Sequence, residues 1–267
     1  MLIRSIKAPL SYLKNRIADQ ILSQESLYKL YLQMKWGVSQ PKDHPNAPWE
    51  NGVLKTVEER DQVLQQVKDL GLQIFSDLPK NWDSLAALDV ILKNTNSEDK
   101  ILDAGAEIYS VILPWLYVYG YRNLQGINLV FNRETQRGPI TYNYGDITQT
   151  NFPDQNFNAI TCLSVIEHGV DLKAYFQEMS RLLKPGGILI TSTDYYADSI
   201  DTKNQVAYGV PIHIFNREEI LEAFKIAEIF NLYLTTDIDL ECQEKVVNWK
   251  DYDLDYTFIV FTMQKKA

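Results

Sequence analysis

From about residue 99 the chain alternates short β-rich runs with segments of helical period, and this alternation restricts the fold more than any other feature. The runs are "KILDA", "LQGINLV", "ITYNY", "FNAITCLSV", "GILITST", "NLYLTT" and "TFIVFTMQ". Between them the clearest helix runs from Asp171 to Leu183, with Leu172, Tyr175, Phe176, Met179, Leu182 and Leu183 on one face. "KPGG" then ends it and turns the chain into the next run. Strands separated by amphipathic helices bury both faces of a mostly parallel sheet, so the expected class is α/β.

The chain before this region reads as helical. Apolar residues recur at three and four through residues 10 to 34, and again from Val57 to Leu70 before Gly71. "GVSQPKDHPNAPWENG" connects the two stretches, and a third helix is expected from Ser84 to Lys93, capped by Asp83. The resulting division is a helical extension over 1–80 and an α/β domain over 81–267. At the very start Leu2, Ile3, Ile6, Leu10, Leu13, Ile17 and Ile21 fall at helical spacing, with Arg4, Lys7, Lys14 and Arg16 between them. Such a stripe suits a membrane surface, the chain's own domain or a second copy, and the last would give a homodimer through the N-terminal helices.

Length and composition narrow the partners. The 267 residues, 45% hydrophobic and 23% charged, suffice for one large domain with an appendage. A formal net charge of -9 repels phosphate backbones, so no nucleic acid is expected. Cys162 and Cys242 stand far apart without metal-ligand spacing, which indicates neither a disulfide framework nor a metal site and suits a cytoplasmic location. No apolar run approaches the roughly 20 residues that span a bilayer, so no transmembrane segment is expected, and no signal-peptide pattern opens the chain.

In an open parallel sheet ligands lie beyond the carboxyl ends of the strands, where strand order reverses. The relevant ends here are Asp103 before Gly105, Asn128, "YGDIT" with Asp146, and "LSVIEHG". The ordered series "ILDAGA", "LQGINL", "GDIT…FPDQNFNAITCLSVIEHGVD" and "MSRLLKPGGILITSTDYY" resembles the class I S-adenosylmethionine-dependent methyltransferases over roughly residues 80 to 263. The resemblance implies a Rossmann-like, seven-stranded, mostly parallel sheet with helices on both faces, and S-adenosylmethionine as cofactor. It further implies that Asp103 and Gly105 hold the methionine end, that Asn128 meets the ribose, that Asp146 and Ile147 meet the adenine, and that Ala106, Leu129 and Leu163 are further cofactor contacts. An Asx turn after Gly145 is the simpler role for Asp146.

Two departures from the family pattern bear on activity. The residues after Gly105 are Ala106, Glu107, Ile108 and Tyr109 rather than a glycine-rich loop, so a nicotinamide dinucleotide is disfavoured. Asn128 stands where a carboxylate is usual and accepts from ribose hydroxyls without charge assistance. Pro114 places the next helix start between Ser110 and Leu113.

Methyl transfer to a hydroxyl needs a base, and the candidates are His168, which follows Glu167, and His213. The segment Asp194 to Phe215, with Tyr195, Tyr196, Tyr208 and His213, is either a lid over the groove or a loop packed on the sheet edge. Tyr195 is a further catalytic candidate. The expected function is methyl transfer to a small-molecule or sugar acceptor; an inactive scaffold that keeps the fold is the alternative.

Overall fold

A computed structural model describes residues 16–38, 41, 43–207 and 209–266. In chain order its helices are α1 (Glu25–Trp36), α2 (Val57–Asp69), α3 (Lys80–Asn94), α4 (Ile112–Val118), α5 (Leu172–Leu182) and α6 (Arg217–Ile229). Its strands are β1 (Gly52–Val53), β2 (Lys100–Ala104), β3 (Asn123–Asn128), β4 (Thr135–Arg137), β5 (Ile140–Tyr144), β6 (Phe157–Leu163), β7 (Leu183–Tyr195), β8 (Val206–Ala207), β9 (Val210–Pro211), β10 (Leu232–Leu234), β11 (Val247–Trp249) and β12 (Leu254–Lys265).

The seven runs singled out in the sequence contain β2, β3, β5, β6, β7, β10 and β12. They form one sheet in the order β10-β12-β7-β6-β2-β3-β5, in which β12 runs antiparallel to β7 and β10 while β7, β6, β2, β3 and β5 are mutually parallel. The chain winds outward from β2 through β3 to β5, then returns to β6 on the other side. The order therefore reverses between β2 and β6, where an open α/β sheet binds its ligands.

Local chemistry explains the helices around this point. In α5, Tyr175, Phe176, Met179 and Leu182 are buried against the sheet, and the Asp171 carboxylate accepts from the Ala174 amide at 3.0 Å. Helix α4 starts at Ile112, as Pro114 requires. Helix α3 is unusual because every residue from Asn81 to Ile91 is buried. Its polar members have partners: Asn81 accepts from the Phe75 amide at 2.8 Å, and Asp89 meets Lys93 at 2.6 Å. It starts at Lys80, so Asp83 lies inside its first turn instead of capping it. The Asp83 side chain points into the core and accepts from Ser192.

The first 80 residues supply more than helices. Gly52 and Val53 pair antiparallel with Val260 and Ile259, and the Leu54 amide donates to Phe258 at 2.9 Å. This short apolar run covers part of an edge of β12 that would otherwise stay open. Helix α1 packs on its own domain: Tyr28 and Leu32 are buried, and the Tyr28 ring lies 5.6 Å from that of Tyr117. Arg133 and Arg137 both pair with Asp19 just before it. Ile17 and Ile21 remain exposed, while Leu2, Ile3, Ile6, Leu10 and Leu13 of the same stripe lie outside the described residues, as does Tyr208. Among the described residues no helix is long and apolar enough to cross a membrane.

Candidate functional site

The turn after β2 is built by three loops closing on one another. Gly105 has φ +96°, and a Cβ there would stand 2.3 Å from a methyl of Val165, so only glycine lets the loop after β6 come this close. Asn128, at the end of β3, donates from Nδ2 to the Gly105 carbonyl at 3.0 Å and accepts at Oδ1 from the Val130 amide at 3.2 Å. Asn128 thus ties two loops together, a role beside the ribose contact that the resemblance implies. A carboxylate could not donate to the Gly105 carbonyl, which accounts for the departure from the family pattern. Ala106 and Ile147 are buried, Leu163 is half-buried, and Leu129 is exposed at the rim. Asp146 Oδ1 accepts from both the amide and the hydroxyl of Thr148, at 2.9 and 2.6 Å, and so forms the Asx turn.

Below these loops lie four buried carboxylates, with Asp83 near Asp103 and Glu167 near Asp194. Asp103 ends β2, Asp83 comes from α3, Glu167 follows β6, and Asp194 lies near the end of β7; all are buried. Each is held by a hydroxyl: Thr161 donates to Asp103 at 2.8 Å, Ser192 to Asp83, Thr193 to Glu167 at 3.0 Å, and Tyr256 to Asp194. Burial raises Asp103 to about 7, opposed by the Thr161 hydrogen bond and reinforced by Asp83. Burial likewise raises Asp83 to about 6. Glu167 and Asp194 are pushed upward by burial, and for Asp194 by its proximity to Glu167, while Lys80 pulls both down. Burial alone would lower the Lys80 ammonium, yet Glu167 and Asp194 raise it.

Lys80, Asp83, Glu167, Asp194 and Tyr256 were not among the expected site residues. One signal for them was present: "ITSTDYY" places Ser192, Thr193 and Asp194 in a strand buried throughout from Gly187 to Tyr195. A continuous polar run at the carboxyl end of a central strand has no packing purpose.

The other expected catalytic groups separate. His213 is half-exposed, its Nε2 lies 3.3 Å from Glu219, and its ring meets Phe215 edge-on at 4.5 Å. It is near enough to Glu167 to influence that carboxyl, and it lines an open cavity of about 320 Å³ with Ile166, Val170, Phe215 and Ala223. His168 is half-buried, and burial lowers its pKa with help from Lys80. Tyr195, the further catalytic candidate, belongs to β7, is fully buried, and donates its hydroxyl to the Leu240 carbonyl at 2.9 Å. The lid expected over Asp194 to Phe215 is likewise shortened, since Asp194 and Tyr195 are strand residues. The remainder of that segment includes the small β8–β9 hairpin.

A doubly wound sheet in which the antiparallel β12 lies between β7 and β10, with buried carboxylates near its switch point, is the architecture to compare with known proteins. Residues 117–191 match the family model described as a methyltransferase domain. Over 119 residues the chain is 25% identical to a sterol 24-C-methyltransferase of Aspergillus fumigatus, covering 45% of this chain and 32% of that protein. Over 75 residues it is 33% identical to the sterol 24-C-methyltransferase of Yarrowia lipolytica, covering 27% and 20%. It thus spans about a fifth to a third of the length of the curated relatives it matches. Among solved structures, geranyl diphosphate C-methyltransferase from Streptomyces coelicolor superposes over 89% of this chain and 98% of its own, with a TM-score of 0.52 at 17% identity. Phosphoethanolamine N-methyltransferase 2 of Haemonchus contortus does so over 69% and 52%, with a TM-score of 0.52 at 14% identity. Residues 117–191 thus match a methyltransferase domain, within an α/β fold shared with S-adenosylmethionine-dependent methyltransferases of known structure.

Proposed function

We propose that the protein binds S-adenosylmethionine at the carboxyl edge of β2 and transfers its methyl group to a small-molecule acceptor. The observation that carries this is the convergence of Asp103, the Gly105 turn and the polar end of β7 at the switch point of a methyltransferase sheet. The residues fit the cofactor chemically. Buried carboxylates suit its cationic groups, and the hydroxyl of Ser164, buried without a partner among the described residues, is left to meet a ligand. Asp103, Gly105 and Ala106 would hold the methionine end, Leu129 the ribose edge, and Asp146, Ile147 and Leu163 the adenine, with Asn128 fixing the loop that meets the ribose.

When bound, the cofactor supplies a methyl group on a sulfonium, and transfer is an in-line displacement that releases a neutral thioether. The protein's part is alignment and exclusion of water. The sterol, geranyl diphosphate and phosphoethanolamine methyltransferases act, by their names, on sterol, isoprenoid and amine acceptors, all small molecules. An acceptor lying in the cavity beside Phe215 and Ile166 would present its reacting atom near His213. For a hydroxyl acceptor, a sugar included, the His213 imidazole would take the proton, with the Glu219 carboxylate facing its Nε2.

A non-catalytic scaffold is the second reading, favoured by the closure of Val165 and Asn128 over the Gly105 turn. The two separate on transfer of labelled methyl from S-adenosylmethionine to a panel of isoprenoid, sterol, amine and sugar acceptors. The proposal expects one class to be labelled and His213→Ala to lower kcat about a hundredfold with cofactor affinity retained. No transfer to any class by a protein that binds no cofactor would leave the scaffold.

A further inference from the structure

The open cavity beside the loop after β6 is lined by one stripe of α6 that changes character along its length. Glu219, Glu222, Ala223 and Ile226 fall at i, i+3, i+4 and i+7, so they share one helix face, and all four line the cavity. The stripe is acidic toward the helix start and apolar beyond it. Ile166 and Phe215, both buried, continue the apolar floor from the other side. At about 320 Å³ the cavity lies at the small end of the roughly 300–1,000 Å³ that ligand pockets occupy, which suits a small acceptor. The same loop joins it to the cofactor turn: a Cβ at Gly105 would meet Val165, and the next residue, Ile166, lines the cavity. The charged lining is one-sided. The Glu219 and Glu222 side chains, 40% and 61% exposed, stand at its open side, and among the described residues neither lysine nor arginine lines it. Their present partners leave negative charge to spare. Glu219 accepts from the Asn216 amide at 2.9 Å as part of the helix cap and faces His213 Nε2 at 3.3 Å. Glu222 pairs with Lys225 at 3.1 Å, with both side chains largely in solvent, and such a pair is easily exchanged for another cation.

Resting on the reading of this chain as a methyltransferase whose acceptor lies in this cavity, we propose that the acceptor is an apolar amine. Its hydrocarbon part rests on Ile166, Phe215 and Ile226, and its ammonium lies between Glu219 and Glu222. Burial of the hydrocarbon drives entry. The two carboxylates select the headgroup, because a charge-assisted hydrogen bond is stronger than a neutral one and a phosphate in the same place is repelled. Transfer needs a free lone pair on nitrogen, so the ammonium first gives one proton to the His213 imidazole. The nitrogen pair then forms the N–C bond while the C–S bond breaks with its pair going to sulfur. The product amine keeps the positive charge, the sulfur becomes a neutral thioether, and the imidazolium returns its proton to water.

Three probes with one hydrocarbon body and different headgroups test this. Geranylamine, geraniol and geranyl diphosphate are titrated calorimetrically into the intact protein saturated with S-adenosylhomocysteine near neutral pH. Geranylamine should bind about tenfold or more tightly than geraniol, and geranyl diphosphate more weakly than either. Glu219→Gln, in which glutamine keeps the helix cap, and Glu222→Gln should each narrow the ratio of amine to alcohol affinity several-fold and leave geraniol binding unchanged. Glu228→Gln removes an exposed charge from another face of α6 and should leave the ratio as it is, which separates recognition in the cavity from the net charge of the chain. Labelled methyl from S-adenosylmethionine should pass to geranylamine and not to geraniol. Equal affinities for amine and alcohol, tighter binding of the diphosphate, binding of none of the three, or binding of the amine without methyl transfer would each overturn the inference while S-adenosylhomocysteine binding keeps the cofactor reading. A ratio that Glu228→Gln lowers as much as the cavity variants do would overturn it too. A protein that binds no S-adenosylhomocysteine would remove both.

Discussion

Asp103 ordinarily titrates near 3.8 and is pushed up to about 7 by burial. The folded chain therefore binds this proton more tightly than the unfolded chain. Its contribution to stability is complete below the ordinary value and is lost as pH rises through the raised one. Asp103→Asn keeps an acceptor for Thr161 and removes the charge, so the variant should gain melting temperature over the wild type as pH is raised across neutrality; a pH-independent difference would contradict the assignment. Asn128 makes the opposite case. Asp at this position would set a carboxylate against the Gly105 carbonyl, so Asn128→Asp should lower both stability and affinity for S-adenosylhomocysteine in calorimetry. On the family pattern alone the same substitution would strengthen binding. The place of Asp103 and Gly105 at the carboxyl end of β2 was legible because a carboxylate followed by glycine marks a strand end turning into a loop. The tie that Asn128 makes between the Gly105 and Val130 backbones was not legible, since sequence does not tell which two loops an amide joins.

At the scale of elements, the existence of the central strands and their mostly parallel sheet followed from the apolar runs, while the strand order did not. Asp83 reads as a cap in sequence because it precedes an apolar run. Helix α3 instead begins at Lys80 and turns Asp83 to Ser192 across the core, a contact 109 residues distant in sequence that no local pattern encodes. Tyr195 shows the converse, a tyrosine at a strand end that packs and donates to a backbone carbonyl. Before the strongly amphipathic α5, by contrast, a single carboxylate does cap the helix, and it is Asp171. Asp171→Ala should cost about 1 kcal/mol in denaturant unfolding, with the m-value unchanged.

On the scale of the whole molecule, the division at residue 80 understates how far the amino-terminal region enters the domain. Strand β1 adds to the sheet, α1 buries Tyr28 beside Tyr117, and Asp19 pairs with two arginines from the far edge. Periodicity revealed the helices there, but two residues of edge strand are too short to carry a pattern. The proposed function nonetheless depends on one place, the switch point between β2 and β6 beside Asp103 and the Gly105 turn. Calorimetric titration of S-adenosylhomocysteine into the intact wild-type protein tests this most directly, with Asp103→Ala as the control. The account predicts saturable one-to-one binding in the micromolar range that the variant loses while its far-UV spectrum is unchanged. Absence of heat, together with a melting temperature unmoved by millimolar ligand, would contradict it.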